Sequence, residues 1–323
     1  MLFHPSVLFT LATASLTAAQ LAGYATQNGG TTGGAGGTTT TVSAAAAFQT
    51  AVKTVKPITV FLTAPVHLSS QTSVASDTTI IGVGTQAILT GVGLKISGQK
   101  NIIIRNLVIN KVTGNDGITI TSSTNIWIDH NEFFSDLTHG PDFYDGQVDV
   151  NHASDFVTVS WNFFHDHFKS SLVGGDPENG SEDTGHFHIT YHHNYWKNVH
   201  TRTPALRFSH AHVYNNYYEN LVSQGIHTRS LGQALVEGNV FVNSTEPLST
   251  YGFVIPDDSP NSGPAGDFED DGFANLGAAN DFGTGKINIT RTGDFTSVPY
   301  SYSLTALASV KAAVVAGAGV GKI

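Results

Sequence analysis

Charged residues that could act together recur at one spacing in the middle of this chain. Asp116 and Asp149 are 33 residues apart, and so are Lys169 and Arg202. Arg207 follows in the stretch HTRTPALRF, in which two arginines flank a proline. Cationic side chains beside a group of carboxylates could bind an acidic ligand and stabilise negative charge that develops during a reaction.

The carboxylates are suited to a hard cation. Asp145 and Asp149 are four residues apart, which in a straight strand is about 13 Å and too far to share one ion. A common site therefore requires Asp145 to lie on a turn that folds back, and Gly146 permits such a turn. Together with Asp116, these carboxylates would repel one another unless a cation such as Ca²⁺ neutralised them. Spacing alone also allows three unrelated turn aspartates, and ordinary surface positions for the lysine and the arginines.

Histidine-rich stretches offer a second candidate for metal binding. They are HDH at 165–167, HFH at 186–188 and HH at 192–193. An H-x-H pair on a strand can bind a transition metal, but no third ligand is evident beside these pairs. We interpret them as structural residues that hydrogen-bond and stack between strands. We interpret Asp129 and His130 as part of a buried polar network.

An internal repeat of the form apolar-x-apolar-x-x-Asn-x-apolar must position these residues. Its asparagines, at spacings of 31, 32, 22 and 23 residues, are Asn131, Asn162, Asn194, Asn216 and Asn239. A strand followed by asparagine at this period predicts an all-β fold, the parallel β-helix, in which each coil buries its inner face only by stacking on the next. Stacked coils bring the asparagines about 4.8 Å apart, so we expect a ladder of side-chain hydrogen bonds. A β-sandwich also has many short strands, but it gives no reason for asparagine at a fixed offset.

Segments outside the repeat predict how the fold is closed. SAAAAFQTAVK, from Ser43, and SLTALASVKAAVVAG, from Ser303, have the composition of helices. We expect them to be short helices that cap the two ends of the β-helix. The stretch from Asp257 to Phe282 is rich in Gly, Pro and acidic residues, which predicts a loop. Residues 20–323 are expected to form one domain.

Composition restricts the class of function. The chain has 323 residues, a net charge of −10 and no cysteine, so disulfides, thiol catalysis and zinc–thiolate sites are excluded. Residues 1–19 have the pattern of a secretory signal peptide, and no later stretch has the ~18 apolar residues of a transmembrane helix. Sequons at Asn179, Asn243 and Asn288 agree with secretion. We expect a secreted monomer, and the absence of a basic patch argues against a nucleic-acid partner.

The motifs together resemble those of polysaccharide lyase family 1, the pectate lyases, and above all its extracellular fungal members. The matching stretches are NIWIDHNEF, DGQVDVNHASDFVTVSWNFFHDHFKSSLVG, ITYHHNYWKNVHTRTPALRF and HVYNNYYENL. The similarity extends from about Gly29 to the C-terminus and is strongest over residues 100–245. It implies a right-handed parallel β-helix, in agreement with the repeat, and β-elimination of α-1,4-linked polygalacturonate.

Matched motif by motif, the resemblance implies roles for six residues. Asp116, Asp145 and Asp149 correspond to calcium ligands, Lys169 and Arg207 to groups that bind substrate carboxylates, and Arg202 to the Brønsted base. Related pectin lyases replace the calcium site with basic residues and prefer methyl-esterified substrate, so the three aspartates favour the pectate branch.

Of these roles, that of Arg202 as the base is the least favourable chemically. Arginine has a pKa of about 12 or higher, so it is a poor base unless neighbouring cations disfavour its charge. We therefore expect activity to rise toward alkaline pH. The alternatives to a calcium-dependent pectate lyase are a pectin lyase, a β-helix hydrolase with paired carboxylates, and a non-catalytic β-helix that binds acidic polysaccharide.

Overall fold

The structure, a computed structural model that describes residues 21–323, is a stack of coils built from short parallel strands. Successive strands pass from one sheet to the next and return to the first sheet one layer further on. Within the described residues this gives three parallel sheets of ten, eight and eight strands. The predicted signal peptide, residues 1–19, lies outside the described residues.

The strands and helices have the following bounds. The first sheet contains, in order, Thr38–Val42, Ile58–Leu62, Thr78–Gly82, Lys100–Arg105, Thr124–Asp129, Asp155–Ser160, His188–His192, His210–Tyr214, Gln233–Glu237 and Phe273–Leu276. The second sheet contains Val66–Leu68, Ile88–Gly91, Val108–Asn110, Glu132–Phe134, Phe163–Lys169, Tyr195–Thr201, Tyr217–Glu219 and Val240–Val242. The third sheet contains Thr72–Ser73, Leu94–Ser97, Ile118–Thr121, Val148–Asn151, Leu172–Val173, Ala205–Arg207, Gln224–Arg229 and Glu246–Ser249. An antiparallel pair joins Phe253–Val254 to Asp267–Phe268, the α-helices are Ala45–Val52, Gly180–Asp183 and Leu307–Gly317, and the 3₁₀ turns are Tyr24–Thr26, Pro177–Asn179 and Pro256–Asp258.

Alternation along each strand divides core from surface. In the strand Val148–Asn151, both valines are fully buried in the main hydrophobic cluster. Because successive side chains of a strand point to opposite faces, Asp149 between them projects from the outer face of the third sheet. The same pattern over many coils gives one apolar core inside the stack and leaves the outer faces for polar residues.

The asparagine ladder predicted from the repeat is present at the corner between the first and second sheets. Hydrogen bonds of 3.0 to 3.1 Å between side-chain amide groups join consecutive members of the ladder. These members are Asn131, Asn162, Asn194, Asn216, Asn239 and Asn280. The residue before the asparagine turns the corner in a left-handed conformation, with φ of 53° at Trp161 and 55° at His193. The ladder satisfies buried polar groups at this corner in each coil from Asn131 to Asn280, which explains the fixed position of asparagine in the repeat.

Aromatic and histidine side chains stack from coil to coil. Inside the stack, the rings of Phe133, Phe164 and Trp196 lie face to face with centroid separations of 4.9 and 4.1 Å. On the outside of the corner, His193 stacks on Trp161 at 4.3 Å. The histidine stretches thus pack and hydrogen-bond between strands, which is the arrangement expected for structural residues.

The two terminal helices differ in position. Ala45–Val52 begins after Ala44 instead of Ser43 and buries Phe48 in the main core. Leu307–Gly317 packs Val310 and Val314 against Tyr217 and Val240 on the second sheet. The contacts of this second helix therefore lie along one side of the coil stack, whereas the sequence predicted a cap at the end.

The segment 257–282 is only partly the loop that its composition predicted. It includes Phe273–Leu276, the last strand of the first sheet, and Asn280, which extends the asparagine ladder. The strand is short and is flanked by acidic residues and glycines, so its alternation is too brief to stand out in the sequence.

Candidate active site

The predicted site residues meet on and beside the outer face of the third sheet. Asp149 pairs with Thr119 in one neighbouring strand, and its Oδ1 accepts a hydrogen bond of 3.0 Å from the amide of Leu172 in the other. Arg207, two strands beyond Asp149, pairs in register with Arg229. Parallel strands stacked about 4.8 Å apart place these side chains on one face of the sheet. Asp149 is level with Ala205, and Arg207 lies two residues further along the same strand as Ala205.

Asp116 and Asp145 reach the same place from turns. Asp116 precedes the strand Ile118–Thr121, and its Oδ2 accepts a hydrogen bond of 2.7 Å from the hydroxyl of Thr119. Its Oδ1 accepts a bond of 3.0 Å from the amide of Gly146. The chain beside Asp145 therefore folds back onto Asp116, as a common site required.

Burial and neighbouring carboxylates raise the pKa of both Asp116 and Asp149. Burial and the charge of Asp145 raise the pKa of Asp116 to about 6. Burial and the charge of Asp116 raise the pKa of Asp149 well above its usual value. Like charges in a poorly solvated site disfavour ionisation, so this arrangement is unfavourable at neutral pH without a cation.

The donor set fits a hard cation such as Ca²⁺, because all its ligating atoms are carboxylate oxygens. Glycine at position 146 leaves room for the carboxylate of Asp149, because a Cβ at this position would lie only 2.4 Å from Oδ1 of Asp149. Among residues 21–323, no group of three His, Cys, Asp or Glu side chains is already placed to hold a metal ion. The side chain of Asp145 is 56% exposed and is the most solvent-accessible member of the set.

His167 holds the turn that carries Asp145. Its Nε2 donates to the carbonyl of Asp145 at 2.7 Å, and its Nδ1 lies 2.6 Å from the hydroxyl of Ser135. Burial lowers the pKa of His167 to about 4, so the ring is neutral at physiological pH. The histidine therefore contributes a fixed hydrogen bond to the turn and no charge to the site.

Lys169 lies at the end of the strand Phe163–Lys169, level with Thr201 in the next coil. The sequence placed it beside Arg202, so the register differs by one residue. Its buried ammonium group donates to Asp142 Oδ1 at 2.9 Å and lies 3.9 Å from Asp145 Oδ1. Lys169 thus borders the acidic group.

Arg202 follows the strand Tyr195–Thr201 in a left-handed conformation, with φ of 61°. Its Nε donates to Asp258 Oδ1 at 2.9 Å, its Nη2 donates to the carbonyl of the same residue, and its Nη1 lies 3.9 Å from Asp149 Oδ2. Burial by itself would lower the pKa of Arg202, but Asp258 and Asp149 outweigh it and the pKa is raised. The groups nearest to the Arg202 guanidinium are thus carboxylates, which favour its charged form. A base role would be helped by neighbouring cations, which favour the neutral form.

Arg207 lies in the strand Ala205–Arg207 and is also buried. Its Nε and Nη2 form a bidentate pair with the carboxylate of Glu269, at 2.7 and 2.5 Å, and its Nη1 donates to the carbonyl of Gly174 at 2.6 Å. The bend at the proline brings both arginines to the same region, as the sequence suggested.

Three residues that hold Arg202 and Arg207 in place, directly or through one another, were not predicted from the sequence. Asp258 and Glu269 belong to the segment read as loop, and acid-rich composition was their only signal. Arg229 had a better signal, because it follows Arg207 by 22 residues, which is one coil in this part of the repeat. Extending the repeat spacing beyond the two arginines would have found it.

Comparison with known proteins decides the family. A family model described as pectate lyase matches residues 3–323. The chain belongs to the pectate lyase family. This pectate lyase is 44% identical over 318 residues to pectate lyase A of Aspergillus niger, covering 98% of this chain and 92% of that protein. It is 47% identical over 300 residues to a probable pectate lyase A of Aspergillus fumigatus, covering 92% and 87%.

Solved pectate lyases share the fold. A Bacillus pectate lyase in complex with trigalacturonate superposes with a TM-score of 0.78 at 30% identity, over 94% of this chain and 99% of that one. Pectate lyase II of Xanthomonas campestris gives 0.73 at 27% identity, over 94% and 99%. The predicted β-helix class and the predicted enzyme class are both confirmed. In the part of this pectate lyase that the structure describes, no helix is long and apolar enough to cross a membrane.

Proposed function

We propose that this pectate lyase is secreted, depends on calcium, and cleaves polygalacturonate by β-elimination to unsaturated oligogalacturonates. The observation that carries the proposal is the meeting of carboxylates and guanidinium groups on one face, where Arg202 Nη1 lies 3.9 Å from Asp149 Oδ2. The Bacillus relative bound to trigalacturonate supports a polygalacturonate substrate.

Substrate carboxylates are assigned to Lys169 and Arg207. Both are buried cations held in place by hydrogen bonds, so little side-chain entropy is lost when they bind an anion. Fixed local cations would let a protein with a net charge of −10 attract a polyanion to this face.

Asp116, Asp145 and Asp149 are the residues that would hold the calcium ion. When bound, it would supply positive charge for the substrate carboxylate and for the carbanion-like charge that develops beside it. The protein's own part is to orient that carboxylate so that the adjacent C5–H points at Arg202.

Arg202 is assigned as the base. In its neutral form, Nη1 takes the proton from C5, the electron pair forms the C4–C5 double bond, and the C4–O glycosidic bond breaks. The departing oxygen takes a proton from solvent. Since Asp258 and Asp149 favour the charged guanidinium, the neutral form is scarce near neutral pH and increases as the pH rises.

The test is an absorbance assay with polygalacturonate, with and without a calcium chelator. We expect ultraviolet absorbance from the unsaturated product only when calcium is present, and more of it toward alkaline pH. Absorbance that survives chelation and requires methyl ester would indicate a pectin lyase. New reducing ends without absorbance would indicate a hydrolase, and binding without either would indicate a non-catalytic protein.

Secretion is proposed from residues 1–19 and the three sequons, of which Asn243 is exposed. Expression of the full chain in a fungal host should release a protein that begins at about residue 20 into the medium. A mass that falls on deglycosylation would show that sequons are occupied, and light scattering would test the expected monomer.

A further inference from the structure

A row of alternating charges joins the proposed base to the proposed carboxylate-binding arginine. Its members, in spatial order, are Arg202, Asp258, Arg229, Glu269 and Arg207. Arg229 donates from Nη1 to Asp258 Oδ2, and its Nε lies 3.3 Å from Glu269 Oε1. All five side chains are at least nine-tenths buried. Buried charges of this kind persist only when they are paired and hydrogen-bonded.

Arg202 and Arg207 are each held through the same edge of the guanidinium group, the one formed by Nε and Nη2. The carboxylate of Asp258 accepts from Nε of Arg202, and the main-chain carbonyl of Asp258 accepts from Nη2. The carboxylate of Glu269 accepts from both Nε and Nη2 of Arg207. A guanidinium has five N–H donors in a rigid plane. In Arg207 three of these donors are used, so one remains on each terminal nitrogen, which is the pair that can grip a carboxylate end-on.

The free end of Arg202 is equally defined. With Nε and Nη2 engaged, Nη1 is the nitrogen nearest the acidic group, 3.9 Å from Asp149 Oδ2. The clamping carboxylates stay ionised, because the guanidinium of Arg229 helps to lower the pKa of both Asp258 and Glu269 despite their burial. Three guanidinium groups against two carboxylates also leave a surplus of one positive charge in the row.

We propose that Asp258 and Glu269 are positioning residues that present the Nη ends of Arg202 and Arg207 to the substrate. The inference rests on the proposed function and assigns each carboxylate a different duty. Asp258 orients the group that removes the proton, so its loss should lower kcat. Glu269 orients the group that binds a neighbouring uronate, so its loss should raise KM.

The chain supplies a matched control next to each positioning residue. Asp257 precedes Asp258, but its side chain is 46% exposed and lies 3.6 Å from His200 Nδ1. Asp270 follows Glu269 and is exposed. Changes at these neighbours alter the same segment and leave both arginines clamped.

The experiment uses substitutions that keep the charge and change only the reach of the carboxylate. Glu269→Asp should raise the KM for polygalacturonate about tenfold with kcat within about twofold, and Asp258→Glu should lower kcat about tenfold with little change in KM. The controls Asp270→Glu and Asp257→Glu should match the wild type. Because net charge is constant across the four variants, long-range attraction of the polyanion does not confound the comparison.

Stability and binding measurements separate positioning from simple support of the fold. If Asp258→Glu does not fold, Asp258→Asn keeps the side-chain size and should show the same loss of kcat. Unchanged kcat and KM with a lowered Tm would overturn the inference. A lower KM in Glu269→Asp would also overturn it, since that would show Glu269 competing with substrate for Arg207.

Calorimetry with trigalacturonate distinguishes failure of the inference from failure of the proposed function. If the wild type gave no calcium-dependent absorbance, the proposed function would fail. Glu269→Asp should still bind trigalacturonate about tenfold more weakly than Asp270→Glu does if the positioning role is correct. Equal affinities of these two variants, or no binding by the wild type, would exclude that role.

Discussion

Arg202 carries the proposed chemistry from a position in which its own charge is stabilised. It is buried, its Nε is bound by Asp258, and Asp149 lies 3.9 Å from its Nη1. Both carboxylates oppose the deprotonation that a base requires. A cation held by Asp149 would cancel one of them, so the proposed calcium ion would have a second role beside binding the substrate.

Replacement of Arg202 by alanine should separate chemistry from binding. A general base contributes about 10²- to 10⁴-fold, so we expect kcat of Arg202→Ala to fall by about 10³ while affinity for trigalacturonate changes little. Folding should persist, because Asp258 keeps its pair with Arg229. The measurement is kcat at alkaline pH with saturating calcium, with Arg291→Ala as a control on an exposed arginine. A near-normal kcat would show that another group takes the proton.

Corners between strands decide the geometry at the scale of elements. Asn162 shows how completely one corner is satisfied. Its Nδ2 donates to the carbonyl of Ile128 and to Asn194, while its Oδ1 accepts from the amide and the side chain of Asn131, at 2.9 to 3.1 Å. Each coil of the ladder is thereby hydrogen-bonded to the next, which helps to keep the strands that carry the site residues in register.

Asn162→Ala should therefore destabilise the fold strongly. It leaves several buried polar groups without a partner, and each costs about 1–3 kcal/mol, so we expect a loss of about 3 kcal/mol or more in the free energy of unfolding. Denaturant unfolding measures this loss. Asn261→Ala, at an exposed position, should change stability by less than about 0.5 kcal/mol. If Asn162→Ala lowered the free energy of unfolding by less than about 1 kcal/mol, the ladder would contribute little to stability.

Buried neutral histidines couple the stability of the whole molecule to pH. Burial lowers the pKa to about 4 at His167, His193, His212 and His227. Their usual value is about 6.5, so between these limits the unfolded chain binds more protons than the folded one. The contribution of these histidines to the free energy of unfolding is then complete above pH 6.5 and is lost as the pH falls toward 4. Asp116, with its pKa raised to about 6, and Asp149, whose pKa is also raised, act in the opposite direction but are outnumbered by the histidines.

Unfolding experiments across this pH range test the prediction. The free energy of unfolding should fall from pH 6.5 to pH 4, with each histidine contributing up to about 1.4 kcal/mol per pH unit. His193→Gln should flatten the slope, because it removes one buried neutral ring. His67 is exposed, so His67→Gln should leave the slope unchanged. Stability that is independent of pH over this range would refute the interpretation.

Periodic features could be predicted from the sequence because they repeat a local rule. The spacing of asparagines predicted the β-helix and its ladder, since each coil meets the next through equivalent positions. The 33-residue spacing of Asp116 and Asp149 predicted positions on neighbouring coils for the same reason. The exception at the end of the repeat, Asn280, was hidden by a flanking segment rich in glycine and acids.

What the sequence by itself determined was thus the fold, the family and the residues proposed to act on the substrate. Only the tertiary structure decided how two of them are held. Asp258 lies 56 residues after Arg202, and Glu269 lies 62 residues after Arg207. These separations follow no coil period, because they depend on the path of an irregular segment back across the third sheet. A repeat encodes contacts between equivalent positions of adjacent coils, whereas the carboxylates that orient the arginines come from outside the repeat and meet them only in the folded chain.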